Sequence, residues 1–272
     1  MEKIAVIMSV YSKDNSLYIE QAIESILNQT YSEFKLFIMV DGQVSKNIND
    51  LLHNYSSHKK IKIFKRDINR GLAHSLNELI DAVVAKKEYK FIARMDSDDI
   101  SLPHRFEEQI SYFHKNQEVD VIGSFCHEFG SSYALDTKII PLIHEDLVKY
   151  TFYKCPFIHP TVMFRVRVFD NEQNRYPLQT RLSEDLALWF KLLICGYRFG
   201  NVDAVLLNYR LDDKTLERRS GFKKALSELK IRLSFAIKMR ELDPQIYGLI
   251  IARGVFALCP KFIKRIMYKK CR

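Results

Sequence analysis

A run of acidic residues, RMDSDD at positions 94–99, follows an apolar segment of the chain. If this segment is extended, side chains two residues apart point the same way, so Asp96 and Asp98 face one ligand and Asp99 faces elsewhere. Two carboxylates completed by phosphate oxygens are a typical site for Mg²⁺ or Mn²⁺. We therefore predict a divalent-cation site on Asp98 and Asp96. The alternative is that these residues only cap the helix that Pro103 begins.

Three other loops carry side chains that suit a nucleotide. Tyr11 can stack on a base, and Asp41 can accept a hydrogen bond from a nucleobase or a ribose. Asn69, Arg70 and Gly71 precede a predicted helix, where the basic side chain and the first amides can meet a pyrophosphate. The ordinary alternatives are packing, a turn and a solvated charge. Without the acidic run, those alternatives would be preferred for all three loops.

A second acidic pair, Glu184-Asp185, begins a predicted helix over 186–195. A carboxylate fixed at a helix start can take the proton of an attacking hydroxyl group, so Asp185 is a candidate base and Glu184 the next choice. The alternative is ordinary capping, with Ser183 as the N-cap and acidic residues in the first turn. The residues alone favour neither interpretation.

Two side chains are candidates for contact with an acceptor molecule. His159 precedes a predicted apolar strand over 162–164, and Trp189 lies four residues after Asp185. A structural role for His159 and core packing for Trp189 are the favoured alternatives.

These side chains need a frame that brings their loops together. Apolar runs predict strands at 4–9, 34–40, 61–65 and 89–95, and helical spacing predicts helices around 19–27, 47–55 and 71–85. Such a βαβαβαβ series predicts an α/β fold with a mostly parallel, doubly wound sheet. In these sheets ligands lie beyond the carboxyl ends of the strands, where all four loops are found.

The composition sets the class of protein. The chain has 272 residues, of which 47% are hydrophobic and 28% charged, so it can bury a sizeable core, and disorder is excluded. Its 5 cysteines form no CxxC pair, which argues against a disulfide framework or a structural zinc site and favours a reducing cytoplasm. The first apolar run is too short for a signal peptide or a membrane span, and we interpret it as a buried strand.

Taken together, the motifs resemble the inverting glycosyltransferase family 2, which has the GT-A fold. The similarity covers about 210 residues in the family's order and rests on 5–42, NRGLAHSLN at 69–77, RMDSDD, HPTVMFR at 159–165 and SEDLALWFKLLICGYRF at 183–199. Two positions differ from the family pattern, Ser9 for a proline and Val40 for an aspartate. No QxxRW motif follows the helix predicted over 186–195, so we expect one sugar to be added per encounter.

The resemblance implies a UDP-sugar donor and assigns a role to each loop. Tyr11 and Asp41 would lie near the uracil, and Asp96 and Asp98 would form the metal-binding DxD pair. Asp185 would be the catalytic base. The remaining nucleotide-sugar contacts would come from the two loop sequences already described, through Asn69, Arg70, Gly71, Arg94 and Ser97.

The likeness to short bacterial members of the family implies a substrate class. The expected acceptor is a lipid-diphosphate-linked sugar, GlcNAc-diphosphate-undecaprenol being favoured, in O-antigen or related surface polysaccharide synthesis. A hexose, glucose or galactose, would be added in β linkage. The rival enzyme class is a sugar nucleotidyltransferase, which would release pyrophosphate. The rival without enzymatic activity is a basic peripheral or nucleic-acid-binding protein, which would tolerate loss of Asp98.

The positive charge of the chain lies in its last part. Residues 222–272 hold 13 Lys and Arg against 3 Asp and Glu, whereas the preceding 221 residues have a net charge of −1. A helical stripe within this part is apolar and consists of Phe222, Leu226, Leu229, Leu233 and Ile237. Apolar and basic residues in this arrangement favour an anionic membrane surface over nucleic acid. The alternative is a helix pair packed on the catalytic part with a solvated basic face.

This pattern predicts three segments. Residues 1–100 form the nucleotide-sugar-binding half, 101–215 the acceptor-binding half with the base, and 216–272 a tail of basic amphipathic helices. The protein is then expected at the inner face of the bacterial inner membrane, as a peripheral cytoplasmic enzyme. A chain ending near Leu216 is expected to bind UDP and to act on a water-soluble acceptor, but to transfer poorly to a lipid-linked one.

Overall fold

A computed structural model describes residues 2–180, 183–212 and 222–259 of the chain. The strands are β1 (Ile4–Tyr11), β2 (Phe34–Asp41), β3 (Ile61–Arg66), β4 (Phe91–Met95), β5 (Ile100–Ser101), β6 (Val121–Phe129), β7 (Met163–Arg165) and β8 (Phe199–Arg210). The helices are α1 (Ser16–Leu27), α2 (Lys46–Tyr55), α3 (Leu72–Val84), α4 (Arg105–Lys115), α5 (His144–Thr151), α6 (Glu184–Ile194), α7 (Phe222–Lys238) and α8 (Pro244–Leu258).

The strands form one sheet in the order β3-β2-β1-β4-β7-β6-β8-β5. The four strands of the first half run parallel, and β7 joins β4 and β6 in antiparallel pairing. This confirms the predicted α/β fold with a mostly parallel sheet flanked by helices. Since β4 pairs with β7, strands from both sides of residue 100 belong to one sheet, and the two predicted halves of the chain share this framework.

The strand register explains why the polar loops meet. Tyr11 pairs with Asp41, and Asp41 pairs with Arg66, so β1, β2 and β3 end at the same level. Met8 pairs with Met95, so the acidic run leaves the sheet beside the last residues of β1. The strands themselves are held by apolar side chains on both faces, because helices cover both sides of the sheet.

Three local predictions need correction. The helix assigned to Pro103 begins two residues later, at Arg105. The apolar strand predicted over 162–164 is present as β7, shifted by one residue to Met163–Arg165, and a short 3-10 helix, His159–Thr161, precedes it. The helix predicted over 186–195 begins at Glu184, and Ser183 occupies the N-cap position without a capping hydrogen bond from its side chain.

Helix α7 packs on the rest of the protein. The ring of Phe235 stacks on Phe190 of α6, with centroids 4.1 Å apart, and lies 4.9 Å from the ring of Phe152. Phe235 and Ala236 are fully or almost fully buried. The described part of the tail therefore contributes to the hydrophobic core on one face of the sheet, and in this respect the packed-helix alternative describes it.

The predicted apolar stripe of α7 divides between core and surface. Leu229 and Leu233 are partly buried against the core. Leu226 and Ile237 are 41% and 69% exposed. The side chain of Phe222 lies outside the described part of the chain. Among the described helices, none has both the length and the apolar character that a membrane crossing requires.

Candidate active site

The acidic run forms a tight turn at the end of β4. The chain is extended only as far as Met95, and Ser97 and Asp98 lie in a turn. One carboxylate oxygen from each of Asp96, Asp98 and Asp99 therefore lies within 4.8 Å of the others. The prediction that Asp99 faces elsewhere is wrong, because the two-residue alternation of a strand does not continue through a turn.

Two arginines hold this turn in place. The buried guanidinium of Arg94 forms an ion pair with Asp96. Arg210, at the end of β8, donates from its side chain to the carbonyl oxygen of Asp98 over 2.7 Å and from its backbone to Asp99 Oδ1 over 2.8 Å. Arg210 lies more than 100 residues after the turn along the chain, and no sequence motif marks it.

The donor set of the turn fits a hard divalent cation. Asp99 is 1% exposed, its Oδ2 atom has no hydrogen-bond donor among the described residues, and burial together with the charges of Asp96 and Asp98 raises its pKa. Three carboxylates held so close together repel one another unless a cation or protons offset their charge. Asp96 and Asp98 are half-buried and accessible, as ligands of Mg²⁺ or Mn²⁺ need to be.

A second cluster forms around Asp41, which is 2% exposed at the end of β2. Its Oδ1 atom accepts from Arg66 over 2.7 Å and from the backbone of Arg70 over 2.8 Å, and its Oδ2 atom accepts from the backbone of Gly71 over 2.8 Å. Burial alone would raise the pKa of Asp41, but these hydrogen bonds lower it below its usual value. Asp41 therefore fixes the conformation of residues 69–71.

Two glycines make this arrangement sterically feasible. Gly42 has a φ of +84°, and a Cβ atom there would lie 2.7 Å from the backbone nitrogen of Asn69. Gly71 has a φ of +91° at the N-cap of α3. Both backbone conformations strongly favour glycine, and the close approach at Gly42 lets the side-chain amide of Asn69 donate to the carbonyl oxygen of Asp41.

Arg66 is a residue of this cluster that the sequence motifs did not reveal. Besides Asp41, it donates to Glu78 over 2.8 Å and to Ser75 over 2.6 Å, and it is 13% exposed. Arg70 also contacts Glu78, over 3.2 Å, but is 53% exposed. The cluster thus contains one largely buried and one exposed arginine, Arg66 and Arg70, which share Glu78 as a partner.

This pair provides a matched stability test. We expect Arg66→Met to lower the free energy of unfolding at pH 7 by about 2 to 4 kcal/mol, because it leaves the buried Asp41 short of a charged partner. Arg70→Met should cost less than about 1 kcal/mol, since its ion pair is exposed. The contribution of Asp41 should be lost as the pH falls through its lowered pKa. Equal losses in denaturant titrations of the two variants would contradict this account.

Asp14 joins the loop after β1 to the acidic turn. Its Oδ2 atom accepts from the backbone of Tyr11 over 3.0 Å and from the hydroxyl group of Ser97 over 2.9 Å. The structure thus brings Tyr11 close to the acidic turn that contains Asp96 and Asp98, as the order of the strands predicts. Asp14 is not among the predicted site residues, although it lies within the segment 5–42 on which the family resemblance rests.

The acidic pair at the start of α6 is half-buried. Asp185 Oδ1 accepts from the backbone of Leu186 over 2.7 Å, and its Oδ2 atom lies 4.0 Å from the sulfur of Cys155. Burial, and next the charge of Asp185, raise the pKa of Cys155 to about 12, so that this thiol is protonated at neutral pH and can act as a weak donor. One oxygen of Asp185 is thus oriented by its own helix and the other lies beside a thiol.

Tyr176 is a buried tyrosine within electrostatic reach of both the acidic turn and the start of α6. It is 1% exposed, and burial raises the pKa of its hydroxyl group, which the charges of Arg94, Asp185, Asp96 and Glu184 also influence. Charges of both the acidic turn and the start of α6 therefore act on this one buried side chain. The motifs did not reveal Tyr176.

The two acceptor-side candidates, His159 and Trp189, lie beside each other, with ring centroids 5.9 Å apart. His159 accepts from or donates to the Tyr176 hydroxyl group over 3.0 Å, and burial, followed by the charge of Arg94, lowers its pKa well below the usual value. The side chain of His159 is half-buried. Its lowered pKa makes the imidazole neutral at pH 7. Trp189 is fully buried against Phe157 and Phe164, which is the core packing that the sequence favoured.

Comparison with known proteins gives a consistent match. The family model described as Glycosyl transferase family 2 matches residues 5–173. The chain is 31% identical to a UDP-Gal:alpha-D-GlcNAc-diphosphoundecaprenol beta-1,3-galactosyltransferase of Escherichia coli, over 98% of this chain and 96% of that protein. It is 34% identical to the O-antigen biosynthesis glycosyltransferase WbnJ of Escherichia coli, over 80% of this chain and 83% of that protein.

Solved structures share the fold. Residues 1–349 of S. aureus TarS in complex with UDP-GlcNAc align with a TM-score of 0.66 and 16% identity, over 97% of this chain and 72% of that one. The mannosyltransferase PcManGT of Pyrobaculum calidifontis, in complex with GDP-Man and Mn²⁺, aligns with a TM-score of 0.63 and 12% identity, over 98% of this chain and 72% of that one. At these identities the likeness establishes the fold.

Proposed function

We propose that this chain, which belongs to glycosyl transferase family 2, transfers one hexose from a UDP-sugar to a lipid-diphosphate-linked sugar. Transfer proceeds with inversion and creates a β linkage. Glucose and galactose are the favoured sugars, and GlcNAc-diphosphate-undecaprenol is the favoured acceptor. The product belongs to O-antigen or a related surface polysaccharide.

The observation that carries this proposal is the acidic turn, in which one carboxylate oxygen from each of Asp96, Asp98 and Asp99 lies within 4.8 Å of the others, together with the half-buried pair Glu184-Asp185 at the start of α6. Inverting transfer needs a charge-neutralising site at the leaving diphosphate and a carboxylate on the other side of the sugar, because the hydroxyl group attacks opposite the leaving group. The acidic turn suits the first task and the start of α6 the second. A binding protein without enzymatic activity would need neither.

The residues of the chain divide the work as follows. Asp98 and Asp96 hold the cation, and Arg94 and Arg210 keep their turn in shape. Mn²⁺ or Mg²⁺ held there would supply positive charge that offsets the charge of the leaving diphosphate. Asp185 takes the proton of the acceptor hydroxyl group, and the transition state has oxocarbenium character.

The remaining residues of the site bind and position the donor. Tyr11 stacks on the uracil, and Ser97 supports the turn that receives the diphosphate. Asp41 acts by holding Asn69, Arg70 and Gly71 in place, since its own oxygens already accept from Arg66 and from two backbone amides. We favour UDP as the nucleotide of the donor because UDP-Gal is the donor named for the Escherichia coli galactosyltransferase that is 31% identical to this chain.

A donor screen tests this function and separates it from the sugar nucleotidyltransferase alternative. The full-length protein is incubated with a panel of UDP-sugars, a GlcNAc-diphosphate-lipid and Mn²⁺, and released UDP and pyrophosphate are measured. We expect acceptor-dependent UDP release with one donor and no pyrophosphate. Pyrophosphate release in the absence of acceptor would overturn the proposal.

We also propose that the tail holds the enzyme at an anionic membrane surface on the cytoplasmic side. The exposed part of the tail carries apolar side chains, including Leu226, Ile237 and Leu242, beside the exposed Lys230 and Lys238. Each basic residue near anionic lipid contributes on the order of 1 kcal/mol. An acceptor with a polyprenyl chain is also confined to a membrane, so attachment brings enzyme and acceptor together. No nucleic-acid partner is proposed.

Salt separates the two contributions to this attachment. We expect high salt to release only part of the protein from anionic vesicles, because screening weakens the lysine contacts and leaves apolar insertion intact. The double variant Leu226→Gln, Ile237→Gln should be released completely. Leu178→Gln, which changes a 49% exposed leucine outside the tail, is the matched control and should behave like the unmodified protein. Complete release of the unmodified protein by salt would exclude insertion.

A further inference from the structure

Arg232 carries a buried charge that the proposed chemistry does not use. It lies on α7, within the basic tail, and is 2% exposed. Its Nη1 atom donates to the carbonyl oxygens of Thr151 over 2.8 Å and Phe152 over 3.0 Å, and it lies 3.4 Å from that of Lys154. A solvated tail would leave this guanidinium in water, so its burial indicates a specific role.

The carbonyl groups that Arg232 contacts are those of a helix end. Helix α5 ends at Thr151, and the last carbonyl groups of a helix lack partners within the helix and carry its partial negative charge. A guanidinium supplies both the hydrogen bonds and the positive charge that this end requires. Arg232 thus caps α5 from a segment 80 residues away along the chain.

The segment that follows this cap reaches the proposed base. Cys155 lies one residue after Lys154, and its sulfur lies 4.0 Å from Asp185 Oδ2. Phe157 then packs on Trp189 of α6, with ring centroids 5.0 Å apart. The position of residues 152–157 therefore affects how Asp185 is oriented.

Helix α7 fixes both sides of this contact. Phe235, three residues after Arg232, stacks on Phe190 of α6 and contacts Phe152. The same helix therefore holds the element that carries Asp185 and the segment that carries Cys155.

We propose that Arg232 is a positioning residue for Asp185, and that α7 supports the active site itself in addition to any membrane attachment. This inference rests on the proposed function, in which Asp185 is the base. It also revises the expectation for a chain ending near Leu216. Such a chain would lose Arg232 and Phe235, and its activity on a water-soluble acceptor should fall as well.

The test uses the full-length protein and a short water-soluble acceptor, so that membrane attachment does not enter. We expect Arg232→Met to lower kcat about tenfold to a hundredfold, because small displacements of a catalytic group are costly, while the KM for the donor changes by less than about twofold. Arg232→Lys should recover part of kcat, since an ammonium group can also donate to the carbonyl oxygens. Lys115→Met, at an exposed position in the last turn of α4, should match the unmodified protein.

A double-mutant cycle tests the route through Cys155. If Arg232 acts through this contact, Cys155→Ala should lower kcat by itself, and combining it with Arg232→Lys should cost less than the product of the two separate losses. Independent losses, or a near-normal kcat in both single variants, would overturn the inference. This cycle also decides the question if Arg232→Met does not fold.

Hydrogen exchange gives a readout that does not need activity. Arg232→Lys should raise the exchange rates of amides in residues 152–158 and leave those of β1 unchanged, because only the capped segment loses support. Unchanged exchange at 152–158 would contradict the positioning role. If the unmodified protein transfers no sugar from any donor, the proposed function fails, whereas this exchange result still reports on the cap.

Discussion

Asp98→Ala is expected to abolish sugar transfer, with a loss of about a thousandfold in kcat/KM. Asp98 lies in the acidic turn with Asp96 and Asp99, and it is half-buried and accessible to a cation. Without this ligand the turn no longer holds the cation that offsets the charge of the leaving diphosphate. Metal-ion stabilisation contributes several kcal/mol to such reactions. Initial rates of transfer with saturating Mn²⁺ measure the effect.

Two controls accompany this prediction. Asp50→Ala removes an exposed carboxylate on α2, away from the turn, and should leave the rate unchanged. The unmodified protein should lose activity in EDTA and regain it when Mn²⁺ or Mg²⁺ is added. Full activity in EDTA would contradict the assignment of a cation to this turn.

Asp185→Asn is expected to lower kcat by about a hundredfold to ten-thousandfold, the range in which general bases contribute. The amide has nearly the same shape as the carboxylate but cannot accept the proton of the attacking hydroxyl group. Donor and metal binding should remain, because the acidic turn is unchanged. Single-turnover rates together with calorimetric titration of UDP measure the two properties separately.

The matched control is Asp146→Asn. Asp146 is an exposed acidic residue in the first turn of α5, so its replacement reproduces the effect on a helix start without touching the site. It should leave kcat unchanged. A near-normal kcat in Asp185→Asn would move the base elsewhere, and Glu184 would be the next residue to replace.

The parts of this fold that depend on local pattern could be predicted from the sequence. Apolar runs such as 34–40 are buried on both faces of the sheet, so their boundaries agree with the structure to within a residue or two. The parallel order of β1, β2 and β4 then places Tyr11, Asp41 and the acidic run at one edge. The burial of a strand or a helix face determines where apolar residues occur along the chain. The apolar pattern was therefore sufficient to locate these elements.

The details of the site depend on contacts between distant residues, and these have no local signature. The acidic turn owes its shape to Arg210, and Asp41 is held by Arg66, 25 residues away. The rule of alternating side chains failed at Asp99 because the strand ends at Met95. Charge counting likewise groups Arg232 with the basic residues of a tail that binds a membrane surface, whereas the structure buries it against the end of α5.

The most direct test of the proposed function is a transfer assay with a defined product. The full-length protein is given labelled UDP-glucose or UDP-galactose, GlcNAc-diphosphate-undecaprenol and Mn²⁺, and the anomeric configuration of the lipid-linked product is determined by NMR. We predict a single added hexose in β linkage, with UDP as the other product and no product in EDTA. An α-linked product, or no transfer from any UDP-sugar to any diphosphate-linked lipid acceptor, would contradict the account.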